Sequence, residues 1–313
     1  MTATTVADEL TSPVAGKRPR RYTAKQALIG WSFALPFVLL FAVFMAGPIL
    51  VSFITSFTDL RVTDIRSPLN VNFVGLENYT DVLGDARFRK AVVNTAIYVL
   101  VTTPVTIGLG LLIALGLNQG VLRLRKVFRV GFFLPYVTAV VAIAVVWRII
   151  LGTDVGLING LLDQIGIDGP GWLSDKSWAL PSIMIMTIWR GVGLQMIIFL
   201  AGLQAIPTEY YEAAAVDGAG RWQKFLYVTL PSLRPTLLFS AVVATIGLMQ
   251  VFEEPYVMTE GGPLDATTTV AFYAVEQFGF GNYSHTAAIS YLLFLAIGIL
   301  TLIQFRWLRP NTE

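Results

Sequence analysis

The stretch "PTEYYEAAAVDGAGRWQKFLYVTLPSLRP", residues 207–235, lies between two long apolar runs and carries more charge and more helix-forming sequence than either. Pro207 and Thr208 suit a helix start, and Glu209 and Glu212 in the first turns complement the positive end of the helix dipole. Ala213, Ala214 and Ala215 extend the helix, and Asp217-Gly218 stops it, because glycine takes the positive φ of a helix end without a steric penalty. A second helix is expected from about Arg221 to Val228, closed by Leu230-Pro231, since proline pushes the residue before it out of the helical region. Each helix, at about ten residues and ~15 Å, is too short to cross a bilayer. The pair therefore belongs outside the membrane. Its alanine face is open to close approach and flanked by two acids, a geometry suited to docking in a groove.

The surrounding sequence is that of a membrane protein. Of 313 residues 55% are hydrophobic and 13% charged, against ~25% charged in soluble domains. Six runs, at about 27–57, 91–118, 130–151, 179–204, 236–256 and 285–306, reach the length of a helical span. Lipid offers no hydrogen-bond partner to a bare backbone, so such runs fold as helices. The expected architecture is all-α and polytopic, with six transmembrane helices in residues 26–313 and a soluble loop at about 205–235. Residues 1–25 are polar and basic and read as a disordered tail. The first apolar run is too long for the core of a cleavable signal peptide.

Basic residues orient the chain. Lys17, Arg18, Arg20, Arg21 and Lys25, then Arg123, Arg125, Lys126 and Arg129, then Arg221, Lys224 and Arg234, and finally Arg306 and Arg309 make fourteen of the 22 lysines and arginines. All fall on one side when six helices are threaded in order, which predicts cytoplasmic termini and a cytoplasmic 207–235 segment. Loops at about 58–90, 152–178 and 257–284 then lie outside. Trp31, Trp147, Trp178 and Trp307 fall close to predicted span ends, where interfacial anchors collect.

Several chemistries are excluded. There is no cysteine for a disulfide or thiolate site, and the single His285 cannot alone hold a transition metal. The net charge of +2 gives no footprint for nucleic acid. A phosphate-cradling G-x-x-x-x-G-K-[ST] loop is absent, so any ATP hydrolysis belongs to another chain.

The spacing Glu212-Ala213-Ala214, three residues, Gly218, nine residues, Val228, one residue, Leu230-Pro231 resembles the EAA loop of the inner-membrane permease subunits of binding-protein-dependent ABC importers. Val228 stands where isoleucine is usual. "DGAG" at 217–220, "FVGLENY" at 73–79, "FFLPYV" at 132–137, "FLAGLQAIP" at 199–207 and "YVMTEGGPLDATTT" at 256–269 are similar to the carbohydrate branch, the maltose and glycerol-phosphate type permeases. The resemblance spans residues 30–308. It implies a type I importer permease fold, a second permease subunit, two copies of a cytoplasmic ABC ATPase carrying ATP and Mg, an extracytoplasmic solute-binding protein, and a sugar as cargo. It also implies ATPase coupling by Glu209, Glu212, Ala213, Ala214, Asp217, Gly218, Leu230 and Pro231.

Candidates for the solute path come from residue chemistry. Arg190, in the middle of the fourth run, is costly in lipid, by ~2.5 to 3.5 kcal/mol. It either lines a watery path or pairs with an acid on another helix. Gly191 and Gly193 beside it mean a loosened helix or close packing. Glu253 and Glu254 are expected to end the fifth span before Pro255 on the outer side, where one of them lines the mouth of the cavity or meets Arg190, or both are simply solvated. Trp189, Tyr256, Asn94, Gln195 and Gln250 are suited to stacking on or hydrogen-bonding a sugar, and equally to packing within a membrane bundle. The segment "TEGGPLDATTT", residues 259–269, reads as a structural turn with some contact to a binding protein docking outside, and "VLRLRKVFR", residues 121–129, is read as a topology determinant.

Other classes remain open to test. The same architecture serves glycerol phosphate, polyamines or amino acids. An ion-coupled secondary transporter would show internal repeats or intramembrane acids, and a membrane enzyme would need a catalytic constellation inside the spans. Neither pattern is present in the sequence.

Overall fold

The computed structural model describes residues 24–66, 71–118, 124–153 and 156–308. Most of the tail and the basic residues Arg123 and Arg309 lie outside the described residues. Among the described residues every regular element is helical, and the sole extended pairing is a bridge between Thr58 and Phe73.

Two compact units are present, Met1–Val51 and Ser52–Glu313. The described part of the first is apolar helix: α1 (Ala24–Phe41), a π-helical turn (Ala42–Ala46) and the start of α2 (Gly47–Thr55). Its leucines, phenylalanines and valines are exposed, as suits residues solvated by lipid.

The second unit contains α3 (Glu77–Gly84), α4 (Ala86–Asn118), α5 (Arg125–Val137), α6 (Val140–Ile150), α7 (Leu157–Asp163) and α8 (Ala179–Gln204). Then come α9 (Thr208–Val216), α10 (Arg221–Lys224), a π turn (Phe225–Thr229), α11 (Leu230–Ser232), α12 (Arg234–Met249), α13 (Glu253–Thr259), α14 (Val270–Gly279) and α15 (Tyr283–Leu308).

Among the described residues four helical stretches are long and apolar enough to cross a membrane: Trp31–Thr55, Ala86–Asn118, Ala179–Gln204 and Tyr283–Trp307. Two further candidates are bent helix pairs, each a broken span or a re-entrant segment: α5 with α6 at 96° and Arg221–Ser232 with α12 at 63°. The expected continuous third span is thus broken at Thr138 and Ala139, whose extended backbone follows Pro135. Thr138 Oγ1 donates to the Leu134 carbonyl at 2.8 Å and satisfies an acceptor that the break frees.

The fifth expected span also ends early. Its helix stops at Met249, and Glu253 and Glu254 start α13 rather than finishing the span. Pro255 fits there because amide hydrogens in a helix's first turn have no partner to lose.

Pro231 corrects a third expectation. The helix does not close at Leu230 but runs on through Ser232. The preceding turn is π-wide, with the Leu230 N–H reaching the Phe225 carbonyl, and the ladder is already re-spaced where the proline arrives. The chain then bends at Leu233, which is fully buried.

Packing centres on α4 and α8. A Cβ on Gly110 would overlap the Cβ of Gln195, and one on Gly193 would overlap the Phe132 carbonyl, so α4, α8 and α5 meet backbone to backbone. Close packing is therefore the meaning of Gly193, and α8 is unbroken around it. Around this contact lie two apolar clusters. One joins Tyr98, Ile143, Ile183, Met186 and Met258; the other joins Ala114, Met196, Phe199, Leu203 and Leu233. The hydroxyls of Tyr98 and Thr187 meet at 2.6 Å between α4 and α8.

Candidate functional site

Arg190 sits mid-way along α8 and faces the first turn of α13. Its Nη1 lies 3.7 Å from Glu254 Oε1, and its guanidinium carbon is 5.7 Å from the centre of the Tyr136 ring. The distance is that of an ion pair rather than a hydrogen bond, and Arg190 Nε is buried without a hydrogen-bond partner among the described residues. Glu254 reaches this position because α12 stops at Met249 and α13 begins at Glu253, with three residues between them.

These groups line a cleft of about 430 Å3, with Thr106, Thr187, Gln195, Gln250 and Glu253 also on its wall. Arg190, Gln195, Gln250, Glu253 and Glu254 are thereby brought together. Trp189, Tyr256 and Asn94 are not. Trp189 packs on Trp147 with ring centres 5.6 Å apart, and Tyr256 packs on Phe252 and Phe272. Asn94 donates to the carbonyls of Asp265 and Thr268, both at 2.9 Å, and braces the 259–269 turn. Gln195 accepts from Ser240 Oγ at 2.5 Å and ties α8 to α12.

The 259–269 turn is held by charge as well. Arg87 bonds Asp265 at 2.8 Å and Glu276 at 2.5 Å, and Lys90 bonds the Leu264 carbonyl. Glu260, Gly261, Leu264 and Asp265 all have positive φ, a backbone that needs such external support at its non-glycine positions. Beside it, Asp85 caps the start of α4 through the N–H groups of Arg87 and Phe88 and accepts from Tyr273 Oη at 2.7 Å. Burial works to raise the Asp85 carboxyl, but these hydrogen bonds and the Arg87 charge together hold it below the usual range. Burial and the bond to Asp85 push the Tyr273 phenol up.

The 207–235 segment is built as an exposed elbow. Gly218 takes φ +77°, and the N–H of Ala219 returns to the Ala214 carbonyl at 2.9 Å. Tyr211 Oη and Thr229 Oγ1, 2.9 Å apart, join its two limbs, while Gln223 Oε1 accepts from the Gly220 N–H. Glu209, Glu212, Ala213, Asp217, Gly218 and Pro231 are exposed, and Ala214 and Leu230 are half-buried. Val216 is 88% exposed and Tyr227 78%, large side chains left uncovered by the described residues.

Residues 86–313 match the family of inner membrane components of binding-protein-dependent transport systems. The chain belongs to this family.

The permease is 37% identical over 282 residues to the lactose transport system permease protein LacF of Rhizobium radiobacter, covering 88% of this chain and 92% of that one. It is 34% identical over 295 residues to the arabinooligosaccharides transport system permease protein AraP of Bacillus subtilis, covering 93% and 91%. A trehalose/maltose permease, MalF of Thermococcus litoralis, is 32% identical over 282 residues, covering 90% and 94%. In fold the permease matches a chain of a bacterial ABC transporter involved in import of the acidic polysaccharide alginate, with a TM-score of 0.77 over 92% of this chain and 98% of that one, at 23% identity. The fold is that of an ABC importer permease of type I.

Thr106, Tyr136 and Thr187 line the cleft of this permease and were not singled out from sequence. Tyr136 lies within "FFLPYV", and its position before the helix break was the available signal. The Asp85, Arg87, Asp265 and Glu276 group joins residues up to 191 apart and left no local pattern.

Proposed function

We propose that this permease forms half of a translocation pathway for a neutral sugar or oligosaccharide. A second, different permease subunit supplies the other half, an extracytoplasmic binding protein delivers the solute, and two cytoplasmic ABC ATPase subunits hydrolyse ATP with Mg. The observation that carries the cargo class is the state of the cleft's cation. Arg190 is already balanced in charge by Glu254, and Glu253 adds a further negative charge, so the cleft wall carries no excess positive charge for an anionic solute. The amide and hydroxyl groups of Gln250, Thr106, Thr187 and Tyr136 suit a neutral, hydroxyl-rich ligand. The names of the relatives, lactose, arabinooligosaccharide and trehalose/maltose permeases, support a sugar or oligosaccharide as cargo.

In this reading both termini and the 207–235 elbow are cytoplasmic. The elbow docks on the ATPase through Glu209, Glu212, Ala213, Ala214, Asp217 and Gly218, with Leu230 and Pro231 at its root, and passes ATPase closure to α12 through the bend at Leu233. Exposure of Val216 and Tyr227 at the elbow supports a docking role.

The test is reconstitution of the complete transporter with its cognate binding protein. Neutral oligosaccharides are expected to stimulate ATP hydrolysis and enter vesicles. Stimulation by phosphorylated compounds alone overturns the cargo class, and uptake that persists without ATP but collapses with an uncoupler overturns the ATP-driven mechanism.

A further inference from the structure

The amino-terminal end of α5 carries an arrangement that neither the solute path nor the elbow uses. Arg125 and Arg129 lie one turn apart on the same face. That face continues to Phe132 and Phe133, where α5 abuts Gly193 of α8. Arg125 Nε and Nη2 and Arg129 Nε are shielded from solvent, yet have no hydrogen-bond partner among the described residues. Guanidinium nitrogens so placed lose solvation without compensation, which is the condition of a site whose acceptor comes from another molecule.

Three further observations define that acceptor. Among the described residues the first turn of α5 has no side-chain cap and no acid, so the positive end of a thirteen-residue helix has no negative group of its own to match it. Lys126 adds a third, exposed cation. Next to this charged end, Val127, Phe128, Val130 and Leu134 present exposed apolar side chains. A free phosphate ion would use the cations and leave these apolar groups unmatched; a phospholipid satisfies both, phosphate on the guanidinium forks and acyl chains along the apolar flank.

We propose that the amino-terminal end of α5 is a binding site for an anionic phospholipid, whose headgroup phosphate pairs with Arg125 and Arg129. The site rests on the reading that this end of α5 is cytoplasmic, where the anionic leaflet lies. It explains the shielding of the Arg125 and Arg129 nitrogens, which a mere topology signal does not require.

Native mass spectrometry of the assembled transporter, titrated with phosphatidylglycerol or phosphatidylcholine, tests the site. Phosphatidylglycerol is expected to bind about tenfold more tightly, and Arg125→Gln and Arg129→Gln are each expected to weaken it about fivefold. Arg306→Gln, which removes a basic charge elsewhere on the same side, is expected to leave the preference intact. Arg125→Lys keeps charge without the fork and is expected to fall between wild type and Arg125→Gln.

Equal binding of the two lipids by the wild-type complex overturns the proposal without recourse to any variant. Competition by millimolar inorganic phosphate would make this a free-anion site and overturn the lipid assignment. Loss of ATPase co-purification with unchanged lipid preference would assign the arginines to a protein partner. A lowered melting temperature with unchanged lipid preference would make them a brace for the carboxyl end of α8. Labelling of a Val216→Cys variant by a membrane-impermeant reagent reports the orientation independently. A lost lipid preference with Val216 shown to be cytoplasmic therefore fails the lipid site and not the topology.

Discussion

Arg190 of α8 and Glu254 of α13 face each other at 3.7 Å across the wall of a polar cleft, and each is the other's charge partner. The side chains are 23% and 10% exposed, so neither charge has enough water to stand alone.

Removing one partner should therefore cost more than removing both. Glu254→Gln is expected to destabilise the permease by about 3 kcal/mol, because it strands a buried guanidinium. Arg190→Gln in the same chain should recover a large part of that loss in a double-mutant cycle read by thermal unfolding in detergent. If the two losses simply add, the pair is not coupled.

Gly193 tests the backbone contact between α5 and α8. Gly193→Ala drives a methyl into the Phe132 carbonyl and is expected to cost about 1 to 3 kcal/mol. Gly116→Ala, in α4 with nothing within 4 Å of the added Cβ, is expected to be neutral or stabilising by up to about 1 kcal/mol. Comparison of the two melting temperatures decides the matter.

At the elbow the expected phenotype is functional. Gly218→Val places a β-branched residue at φ +77°, which reshapes the turn and leaves the membrane core untouched. Solute-stimulated ATP hydrolysis is expected to fall to near the unstimulated rate while the permease still purifies with its partners. Retention of full stimulation would remove Gly218 from the coupling path.

Acid should loosen the end of the bundle where Asp85 caps α4. Its carboxyl is held below the ordinary carboxylate pKa of about 3.9, so its contribution is complete above that value and is lost as pH falls through the lowered one. The melting-temperature difference between wild type and Asp85→Asn is expected to be constant above about pH 5 and to shrink below about pH 4. A difference independent of pH down to the acid limit would mean that the cap acts through geometry alone.

Much of the architecture was legible because lipid imposes a one-dimensional rule: runs such as 91–118 and 179–204 can only be helices. The elbow was legible for a similar reason, with Gly218 and the alanine run acting locally. Breaks were harder to see. Pro135 and Pro255 mark them, but Pro36 and Pro104 lie within helices, so proline alone does not say where a span is cut. The cleft was half legible. Arg190 announced itself by its cost in lipid, whereas its contact with Glu254 depends on α12 stopping early. Asn94 shows the converse: an amide of the right chemistry for sugar is committed to two backbone carbonyls of a turn over 170 residues away.

The glycine contacts at Gly110 and Gly193 have a practical side. Where helices touch through backbone there is no side chain to yield, so α4, α5 and α8 should travel together through the transport cycle. Spin labels at the exposed Leu112 on α4 and Ile197 on α8 are then expected to keep one separation with and without ATP. That invariant spacing would serve as a built-in spectroscopic ruler for the elbow, the bend at Leu233 and the junction at Gln250 to Phe252.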